Sequence, residues 1–323
     1  MSTAAKKVIV VFGATGNAGG SVAKYLLEDG TFAVCAVTRN ANSPKAQELK
    51  SQGATVVEAD LGNAETVAAA VKGAYGVAGI TDFWTILPTV GFSAEAAQHA
   101  EEAQGRTLVD AVKAAGIKHF VWFNLWHSDI PHSEAKHVIA EYLRGTDVPT
   151  TMLINSFYFE NLLNPAFGML QPQTDAAGAV KSYKLNIAIP PDVYIPSYSV
   201  DQTGGWVLEA FKHPGRYIGK EIIVAGEHVT TRRYAEVLAR SLGKPVAALE
   251  LSLSEFHEGA KSDNVYVKEM YLNWKFFLDT FQPPNSPYDE AASKAVYPGQ
   301  HDLESFVREN PRWKSYVASI RSA

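Results

Sequence analysis

The segment with the clearest chemical signal is the stretch GATGNAGG at residues 13–20, directly after the apolar run Val8–Phe12. It places Gly13, Gly16 and Gly19 between a strand-like and a helix-like stretch. Glycines in such a turn permit a tight bend, approach of the backbone to a pyrophosphate, and close packing of helix on strand. The N-terminus of the helix adds N–H groups and partial positive charge for phosphates. The turn therefore predicts a dinucleotide site, and a bare structural turn is the alternative.

The end of the second predicted strand indicates which dinucleotide is bound. About 20 residues after the glycines, where a carboxylate would bind the ribose 2′-hydroxyl of NAD(H), the chain has Arg39, with Lys45 soon after and no Asp or Glu between them. A guanidinium can bind phosphate oxygens in a forked arrangement and can stack on adenine. This pattern favours NADP(H), with NAD(H) as the second choice. A solvated surface arginine is the other interpretation of Arg39.

Further strand ends supply residues to the same crevice, because ligands bind outside the carboxyl ends of parallel strands. Asp60 and Leu61 close the third predicted strand and are expected to flank the adenine. Thr81 follows the fourth strand and is expected near the central part of the cofactor. The adjacent Phe83 and Trp84 fit this crevice and the protein core equally well.

Alternating apolar runs and amphipathic stretches must position these residues. The expected strands are Val8–Phe12, Ala33–Thr38, Thr55–Glu58, Gly76–Ile80, His119–Phe123 and Thr150–Ile154. The expected helices are Ser21–Glu28, Lys45–Gln52, Ala64–Val71, Ala94–Ala115 and Glu134–Arg144. Repeated strand–helix–strand units predict an α/β fold with a doubly wound parallel Rossmann sheet.

The alternation ends after residue 155. The later residues predict loops with short strands, followed by helices at Thr231–Leu242, Asp263–Phe281 and Leu303–Glu309. We therefore expect an NAD(P)-binding domain at residues 1–155 and a smaller, mainly helical C-terminal subdomain at residues 156–323. A late strand near residues 221–226 is expected to return to the sheet, so the two parts are interleaved.

Composition and charge narrow the possible functions. Hydrophobic residues make up 46% of the 323 residues and charged residues 20%, as in ordinary soluble globular proteins. A formal net charge of -5 without a dense Lys/Arg stripe argues against direct binding of nucleic acid. No apolar run reaches the roughly 18 residues of a membrane helix. The single cysteine, Cys35, is expected to be a core thiol, and we expect a cytoplasmic or nuclear protein.

These residues, with several longer blocks, resemble the NmrA-like family of atypical short-chain dehydrogenases/reductases. The matching blocks are GATGNAGGSVAKYLLEDG, VTRN, GITDFW, HVIAEYLRGTDVP, NSFYFENLL and DVYIPSYSVDQTG, with the aromatic helix near Tyr271–Phe277. The likeness spans nearly the whole chain, and YFENL with VTRN is far more specific than the glycines alone. The resemblance implies a Rossmann domain and a smaller C-terminal domain with NADP(H) or NAD(H) bound between them.

The resemblance implies two possible functions. Some members resemble redox-state sensors that bind protein partners, including transcription regulators, without known turnover. Members of the neighbouring isoflavone-reductase-like branch are NADPH-dependent reductases. Our leading hypothesis is an NADP(H)-binding sensor whose cofactor state biases the arrangement of its two domains. The alternative is an NADPH-dependent reductase of a small carbonyl or conjugated aromatic substrate bound in the interdomain cleft.

The same resemblance identifies the positions at which catalysis would occur. Hydride-transferring members of the wider superfamily use a tyrosine four residues before a lysine, and a serine or threonine at the preceding strand end. In this chain Lys136 is kept as a ribose-binding lysine, His132 stands at the tyrosine position, and Asn124 stands at the serine position. Imidazole titrates near neutrality, so His132 is a candidate proton donor, with a packing residue as the alternative. The usual triad is absent, so cofactor binding does not imply turnover.

No metal site is predicted, because the histidines at positions 119, 127, 132 and 137 match no zinc-binding spacing. The YFENL block follows the sixth strand, where family members contact the nicotinamide half, although hinge packing explains its residues equally well. The residues expected to contact the cofactor are Gly13, Thr15, Gly16, Asn17, Gly19, Arg39, Lys45, Asp60, Leu61, Thr81, Lys136, Tyr158 and Asn161.

Overall fold

The computed structural model describes residues 5–321 of the chain, apart from the side chain of residue 321. These residues fold into two compact units, each of which is built from two segments. The first unit contains the described residues up to Asn155 together with Asp201–Ile222. The second unit contains Ser156–Val200 and the described residues from Ile223 onward.

The strands and helices of the described residues alternate first and then become irregular. The strands are β1 (Val8–Val11), β2 (Ala33–Thr38), β3 (Thr55–Glu58), β4 (Gly76–Gly79), β5 (His119–Asn124), β6 (Thr150–Ile154), β7 (Phe157–Tyr158), β8 (Leu170–Thr174), β9 (Val180–Leu185), β10 (Ile195–Tyr198), β11 (Glu221–Ile223), β12 (Glu227–Val229) and β13 (Val246–Ala248). The helices are α1 (Asn17–Asp29), α2 (Pro44–Ser51), α3 (Ala64–Val71), α4 (Phe83–Ile86), α5 (Ala94–Ala114), α6 (Pro131–Arg144), α7 (Thr203–Lys212), α8 (Pro214–Tyr217), α9 (Thr231–Leu242), α10 (Leu253–His257), α11 (Val265–Thr280), α12 (Glu290–Val296), α13 (Leu303–Glu309) and α14 (Pro311–Arg321).

The first unit is built on a sheet whose described strands have the order β11-β6-β5-β4-β1-β2-β3. All pairings among β1 to β6 are parallel. The strand order reverses between β1 and β4, which is the place where ligands bind in open sheets of this kind. The prediction of an α/β fold with a doubly wound parallel sheet is therefore confirmed.

Burial explains why the strands are nearly continuous apolar runs. All six residues of β5 are buried, and Ile9, Val10 and Val11 of β1 are at most 1% exposed. Strands covered by helices on both faces have no solvent-facing side and therefore no polar alternation. Cys35 of β2 is buried as well, and desolvation raises the pKa of its thiol above the usual value. This cysteine is a core thiol, as expected.

A close contact between α1 and α7 fixes the helix that follows the glycine turn. A Cβ added to Gly204 would lie 2.4 Å from the Ser21 carbonyl oxygen and 2.7 Å from the Tyr25 Cβ. The Ser21 hydroxyl donates to the Asp201 carbonyl oxygen at 2.8 Å and accepts the Gly204 N–H at 2.9 Å. Both helices belong to the first unit. Glycine at position 204 therefore lets α7 pack directly on the backbone of α1.

The second unit contains two small sheets and most of the later helices. The described strands form the sheets β12-β10-β7 and β13-β9-β8. The helices α9 to α14 make this region mainly helical, as predicted. Three of these helices, α10, α12 and α14, were not predicted, and α6 begins at Pro131 rather than at Glu134. Proline is tolerated in the first turn of a helix, where its missing N–H costs nothing, so Pro131 and Pro311 begin helices instead of ending them.

Candidate functional site

The glycine turn between β1 and α1 has an exposed backbone at the start of a helix. Gly13 has a φ of 66°, in the left-handed region, and its carbonyl oxygen accepts the Gly16 N–H at 2.9 Å. Gly16 is the N-cap of α1 and has no side chain with which to cap the helix. Gly13 and Gly16 are exposed, and Thr15 is half-buried. The N–H groups of a first helical turn have no partner within the helix, so this turn can bind an anion.

Gly19 has a different role, because it allows α1 to approach β1. A Cβ at this position would lie 2.2 Å from the Gly13 carbonyl oxygen, 2.6 Å from the Gly13 carbonyl carbon and 3.0 Å from the Phe12 carbonyl oxygen. No side chain fits at these distances. The third glycine therefore holds the helix N-terminus directly against the turn, as the sequence predicts.

The loop after β2 carries the predicted adenosine-phosphate contacts. Backbone turns order it: the Asn40 N–H donates to Thr38 Oγ1 at 3.2 Å, and the Asn42 N–H donates to Asn40 Oδ1 at 2.9 Å. Within residues 5–321 the exposed Arg39 guanidinium makes no hydrogen bond or ion pair, and neither does the ammonium group of Lys45 at the start of α2. Both cations are therefore available to an anionic ligand.

A carboxylate that the sequence analysis missed lies beside this loop. Glu58 ends β3 and is in register with Thr38, and its Oε1 accepts the Ala41 N–H at 2.7 Å. Glu58 thus holds the loop against the sheet and brings negative charge near the loop that carries Arg39. This contact forms because β2 pairs with β3. The sequence does not indicate it, because Ala41 and Glu58 are 17 residues apart in the chain.

Asp60 and Leu61 lie just beyond β3, at the same edge. The Asp60 carboxylate accepts the Gly62 N–H at 2.7 Å, and its backbone N–H donates to Thr66 Oγ1 at 3.2 Å. Asp60 is exposed and Leu61 is half-buried. Asp60 therefore has a local role in the turn before α3, and its contact with adenine stays a prediction.

Lys136 of α6 reaches the end of β4 and meets a buried acid there. Its Nζ donates to the Thr81 carbonyl oxygen at 2.8 Å, to Thr81 Oγ1 at 2.9 Å and to Glu101 Oε1 at 2.7 Å. The side chain of Glu101, on α5, has no exposed surface, and that of Lys136 is 15% exposed. An ammonium group has three N–H donors, and in this structure all three are used.

Glu101 is the second residue that the sequence analysis missed. Its Oε2 atom is buried and has no hydrogen-bond partner among the described residues. A buried carboxylate needs a paired cation, because an isolated charge is costly to remove from water. Lys136 supplies that charge, so its presence has a structural reason in addition to the predicted contact with ribose.

His132 lies on the first turn of α6 among aromatic rings. Its ring centroid is 5.3 Å from that of Trp84 and 6.0 Å from that of Phe83, and its exposure is 9%. Phe83 is 1% exposed and belongs to the core, whereas Trp84 is half-buried. The capping carboxylate of Asp82, which accepts the Trp84 N–H at 3.1 Å, begins the short helix α4 that carries both aromatic residues. These contacts hold His132 in place by packing.

Asn124 is the last residue of β5 and is 2% exposed. Its Oδ1 is buried and has no hydrogen-bond partner among the described residues. Gly79 of β4 pairs with Trp122 of β5. Thr81 follows Gly79 by two residues and Asn124 follows Trp122 by two residues, so both lie at the ends of adjacent strands. An unsatisfied buried amide oxygen is costly, so a ligand donor at this strand end would be stabilised.

The remaining predicted residues, Tyr158 and Asn161, lie in the second unit. Between them Phe159 is fully buried, and the buried Glu160 accepts the Val200 N–H at 2.8 Å. Tyr158 packs edge-on against Tyr198 with ring centroids 5.3 Å apart, and it is half-buried, as is Asn161. The block therefore anchors itself through its middle residues, and the predicted cofactor contact of Tyr158 and Asn161 stays a prediction.

The four clustered histidines separate in the fold. His119 is fully buried and bonds Thr151, whereas the His127 and His137 rings lie 4.8 Å apart near Glu134, which His127 contacts at 2.8 Å. In the described part of the chain no group of three His, Cys, Asp or Glu side chains is arranged to hold a metal ion.

The first unit thus places two groups of predicted residues at the carboxyl edge of one parallel sheet. Around the switch point are the glycine turn, Thr81, Asn124 and Lys136, and at the ends of β2 and β3 are Arg39, Lys45, Asp60 and Leu61. A helix N-terminus beside a reversal of strand order defines the class of Rossmann-type nucleotide-binding proteins.

Comparison with known proteins identifies the family. The sequence profile of the NmrA-like family matches residues 5–307, and the chain belongs to this family. An NmrA-like family domain-containing protein of Dictyostelium discoideum is 25% identical over 328 residues, covering 97% of this chain and 98% of that protein. The NmrA-like family domain-containing oxidoreductase hkm9 of Aspergillus hancockii is 34% identical over 230 residues, which are 67% of each chain.

Solved structures share the fold. NmrA, described as a negative transcriptional regulator, in complex with NAD has a TM-score of 0.75 at 19% identity, covering 97% of this chain and 98% of that chain. NmrA in complex with NADP has a TM-score of 0.74 at 19% identity, covering 97% of both. An NADPH-dependent quinone oxidoreductase of Escherichia coli in complex with NADPH has a TM-score of 0.68 at 23% identity, covering 93% and 98%. Across residues 5–321, every helix is too short or too polar to span a bilayer.

Proposed function

We propose that this protein binds a nicotinamide adenine dinucleotide at the glycine turn and acts as a sensor of its redox state. The observation that carries the proposal is the turn itself, in which Gly13 has a left-handed φ and no Cβ can be accommodated at Gly19. This geometry leaves backbone N–H groups at the start of α1 for a diphosphate. NmrA, which shares the fold, is known in complexes with NAD and with NADP.

The proposal includes a preference for NADP(H). The unpaired Arg39 guanidinium lies at the end of β2, where the adenosine ribose binds in this fold, and Lys45 adds a second cation. Forked guanidinium–phosphate bonds are strong and favour a 2′-phosphate. Glu58 opposes this preference, since its carboxylate holds the same loop. Arg39 and Lys45 carry two positive charges, whereas Glu58 carries one negative charge and already accepts the Ala41 N–H. This balance favours the cofactor that carries a 2′-phosphate.

The contacts around the nicotinamide end support sensing more than turnover. The donors of Lys136 are taken by Thr81 and Glu101, so it is poorly placed to lower the pKa of a proton donor. His132 is packed between aromatic rings at the position where reductases have tyrosine. Asn124 has no titratable proton. A bound nicotinamide would supply hydride chemistry, but these side chains offer no clear path for the accompanying proton.

Sensing requires only that oxidised and reduced cofactor bind the protein's conformations with different affinities. The partner in this proposal is a protein, a transcription regulator by analogy with NmrA, met in the cytoplasm or nucleus. Direct contact with nucleic acid is not part of the proposal, because the net charge is -5.

A second candidate is NADPH-dependent reduction of a small carbonyl or conjugated aromatic compound. Several relatives are described as oxidoreductases. The buried, unpartnered Oδ1 of Asn124 favours this candidate, because a ligand hydroxyl or amide would satisfy it. His132 of α6 is the proton donor in this candidate function.

Two measurements separate these candidates. Titration calorimetry with NADP⁺, NADPH, NAD⁺ and NADH gives the affinities, and different values for NADP⁺ and NADPH are expected of a sensor. Loss of reduced-nicotinamide absorbance with quinones, enones or aldehydes is expected only of a reductase. Absence of heat with all four nucleotides would reject both candidates.

The cofactor preference is tested by Arg39→Asp. Hydrogen bonds to charged groups contribute about 1.5–3 kcal/mol, so affinity for NADP(H) should fall about 10- to 150-fold while that for NAD(H) changes little. Lys118→Asp is a matched control, because Lys118 is exposed and precedes β5, at the opposite edge of the sheet. Equal weakening of both cofactors by Arg39→Asp would overturn the assigned preference.

A further inference from the structure

Three side chains of the second unit form a hydrogen-bonded chain that the proposed function does not use. His228 Nδ1 lies 2.7 Å from Glu290 Oε1, and His228 Nε2 lies 2.9 Å from Ser286 Oγ. The three residues come from β12, from α12 and from the loop between α11 and α12. The imidazole thus has a carboxylate on one nitrogen and a hydroxyl on the other.

Hydrogen-bond chemistry decides the direction of each bond. An ionised carboxylate can only accept, and the hydrogen bond from His228 lowers the pKa of Glu290, which keeps it ionised near neutral pH. The Nδ1 of His228 therefore carries the proton and donates it to Glu290. A neutral imidazole then has its lone pair on Nε2, so Ser286 donates its hydroxyl proton to that nitrogen. This is the order of bonds in a serine nucleophile activated by a histidine base and an acid.

Each member of the chain is held by additional contacts. The backbone N–H of His228 donates to the same Glu290 oxygen at 2.7 Å. The His228 side chain is 10% exposed, and β12 pairs with β10 through His228 and Pro196. Ser286 Oγ accepts the Tyr288 N–H at 3.3 Å and is half-buried. The base and acid are therefore fixed, while the nucleophile lies in a loop beside the exposed Asn285.

Donors for a developing oxyanion are present beside the serine. Among the described residues, neither the backbone N–H of Ser286 nor the side chain of the exposed Asn285 makes a hydrogen bond. Backbone N–H groups and asparagine side chains are the usual donors in oxyanion holes. The surrounding carboxylates of Asp289, Glu290 and Glu227 disfavour an anionic acyl group. The substrate class that fits is an ester of a small, uncharged acyl group.

We propose that Ser286, His228 and Glu290 form a catalytic triad that hydrolyses such esters. Ser286 Oγ forms a bond to the acyl carbon while its proton passes to His228 Nε2. The carbon–alkoxy bond then breaks, and the leaving oxygen takes that proton. A water molecule then gives a proton to His228 Nε2 as its oxygen bonds to the acyl carbon. The bond between that carbon and Ser286 Oγ breaks, Oγ takes the proton back from His228, and the carboxylic acid leaves. The activity is independent of the nicotinamide cofactor.

The test uses the full-length protein with p-nitrophenyl acetate and with a fluorophosphonate probe, which forms a covalent adduct with activated serines. Mass spectrometry of the labelled wild-type protein should locate the adduct on Ser286. Ser286→Ala should abolish labelling and reduce ester hydrolysis to the uncatalysed rate. Glu290→Gln, which keeps the shape of the acid, should slow labelling at least about a hundredfold.

The matched control is Ser262→Ala. Ser262 Oγ accepts the Asn264 N–H at 3.2 Å, the same two-residue turn that Ser286 makes with Tyr288, but within residues 5–321 it has no histidine partner. This variant should keep full labelling and hydrolysis. No adduct on the wild-type protein, an adduct elsewhere, or hydrolysis unchanged in Ser286→Ala would overturn the proposal. The wild-type adduct decides the matter even if Ser286→Ala fails to fold.

Discussion

The most direct consequence of the glycine turn is the effect of adding a single methyl group at Gly19. In Gly19→Ala the new Cβ would lie 2.2 Å from the Gly13 carbonyl oxygen, whereas ordinary contact begins at 3.4 Å. The carbonyl must therefore move by about 1 Å. The contact is with backbone, so no side-chain rotation can relieve it.

This displacement should weaken nucleotide binding, because the Gly13 carbonyl is part of the turn. It accepts the Gly16 N–H at 2.9 Å, so its movement also shifts the amides at the start of α1. Loss of one hydrogen bond to a phosphate costs about 1.5–3 kcal/mol, which raises the dissociation constant about 10- to 150-fold. NADP(H) and NAD(H) should be affected equally, because both contain the diphosphate.

The assay is titration calorimetry of Gly19→Ala, with circular dichroism to verify that the variant is folded. Gly215→Ala serves as the control, because a Cβ at Gly215 meets nothing within 4 Å. Gly20→Ala is a graded case, with its nearest contact at 3.3 Å to the Ala14 carbonyl oxygen, and should have a smaller effect. Affinity of folded Gly19→Ala within about threefold of wild type would refute the assignment of this turn as the diphosphate site.

Two further predictions concern stability. Glu101→Gln leaves the Lys136 ammonium without its buried counter-charge, so we expect a loss of about 3–5 kcal/mol in the free energy of unfolding, measured in urea. The control Glu102→Gln, at the neighbouring position, should lose less than about 0.5 kcal/mol. Equal losses in the two variants would contradict a buried ion pair. Burial lowers the pKa of His119 from 6.5 to about 4. As the pH falls, the unfolded chain therefore takes up this proton before the folded protein does. The part of the free energy of unfolding that is present above pH 6.5 is lost as the pH approaches 4. Between pH 7 and 5 this amounts to about 2 kcal/mol, and His119→Gln should lack that part of the pH dependence in urea titrations.

The parallel sheet could be predicted because its strands carry their signal locally. Ala33–Thr38, Thr55–Glu58 and Thr150–Ile154 have the predicted bounds, since each is a short run, rich in apolar residues, that follows a helical stretch. The helix α5 has Ser93 as its N-cap and Gly116, with a φ of 61°, just after its end, and both residue types favour helix ends at these positions. In the second unit α9 and α13 also have the predicted bounds, whereas α10, α12 and α14 were missed.

The contacts that complete the candidate sites join residues distant in sequence. Glu101 and Lys136 are 35 residues apart, and His228 and Glu290 are 62 apart. No local pattern marks a glutamate as the partner of one particular lysine, because α5 and α6 must first pack side by side. The glycine turn was identifiable because its function depends on the backbone, whereas these pairs depend on the tertiary fold.

The hydrogen bonds of Lys136 constrain how a nicotinamide ribose can bind. A ribose hydroxyl that accepts from Lys136 must replace one of its three present acceptors. Glu101 is the least replaceable, because its fully buried carboxylate would lose the only counter-charge that residues 5–321 provide. The ribose would therefore displace Thr81, which is neutral and lies two residues beyond β4. Thr81 directly precedes Asp82, the cap of the short helix that carries Trp84, so cofactor binding at Lys136 would act on the segment that packs against His132.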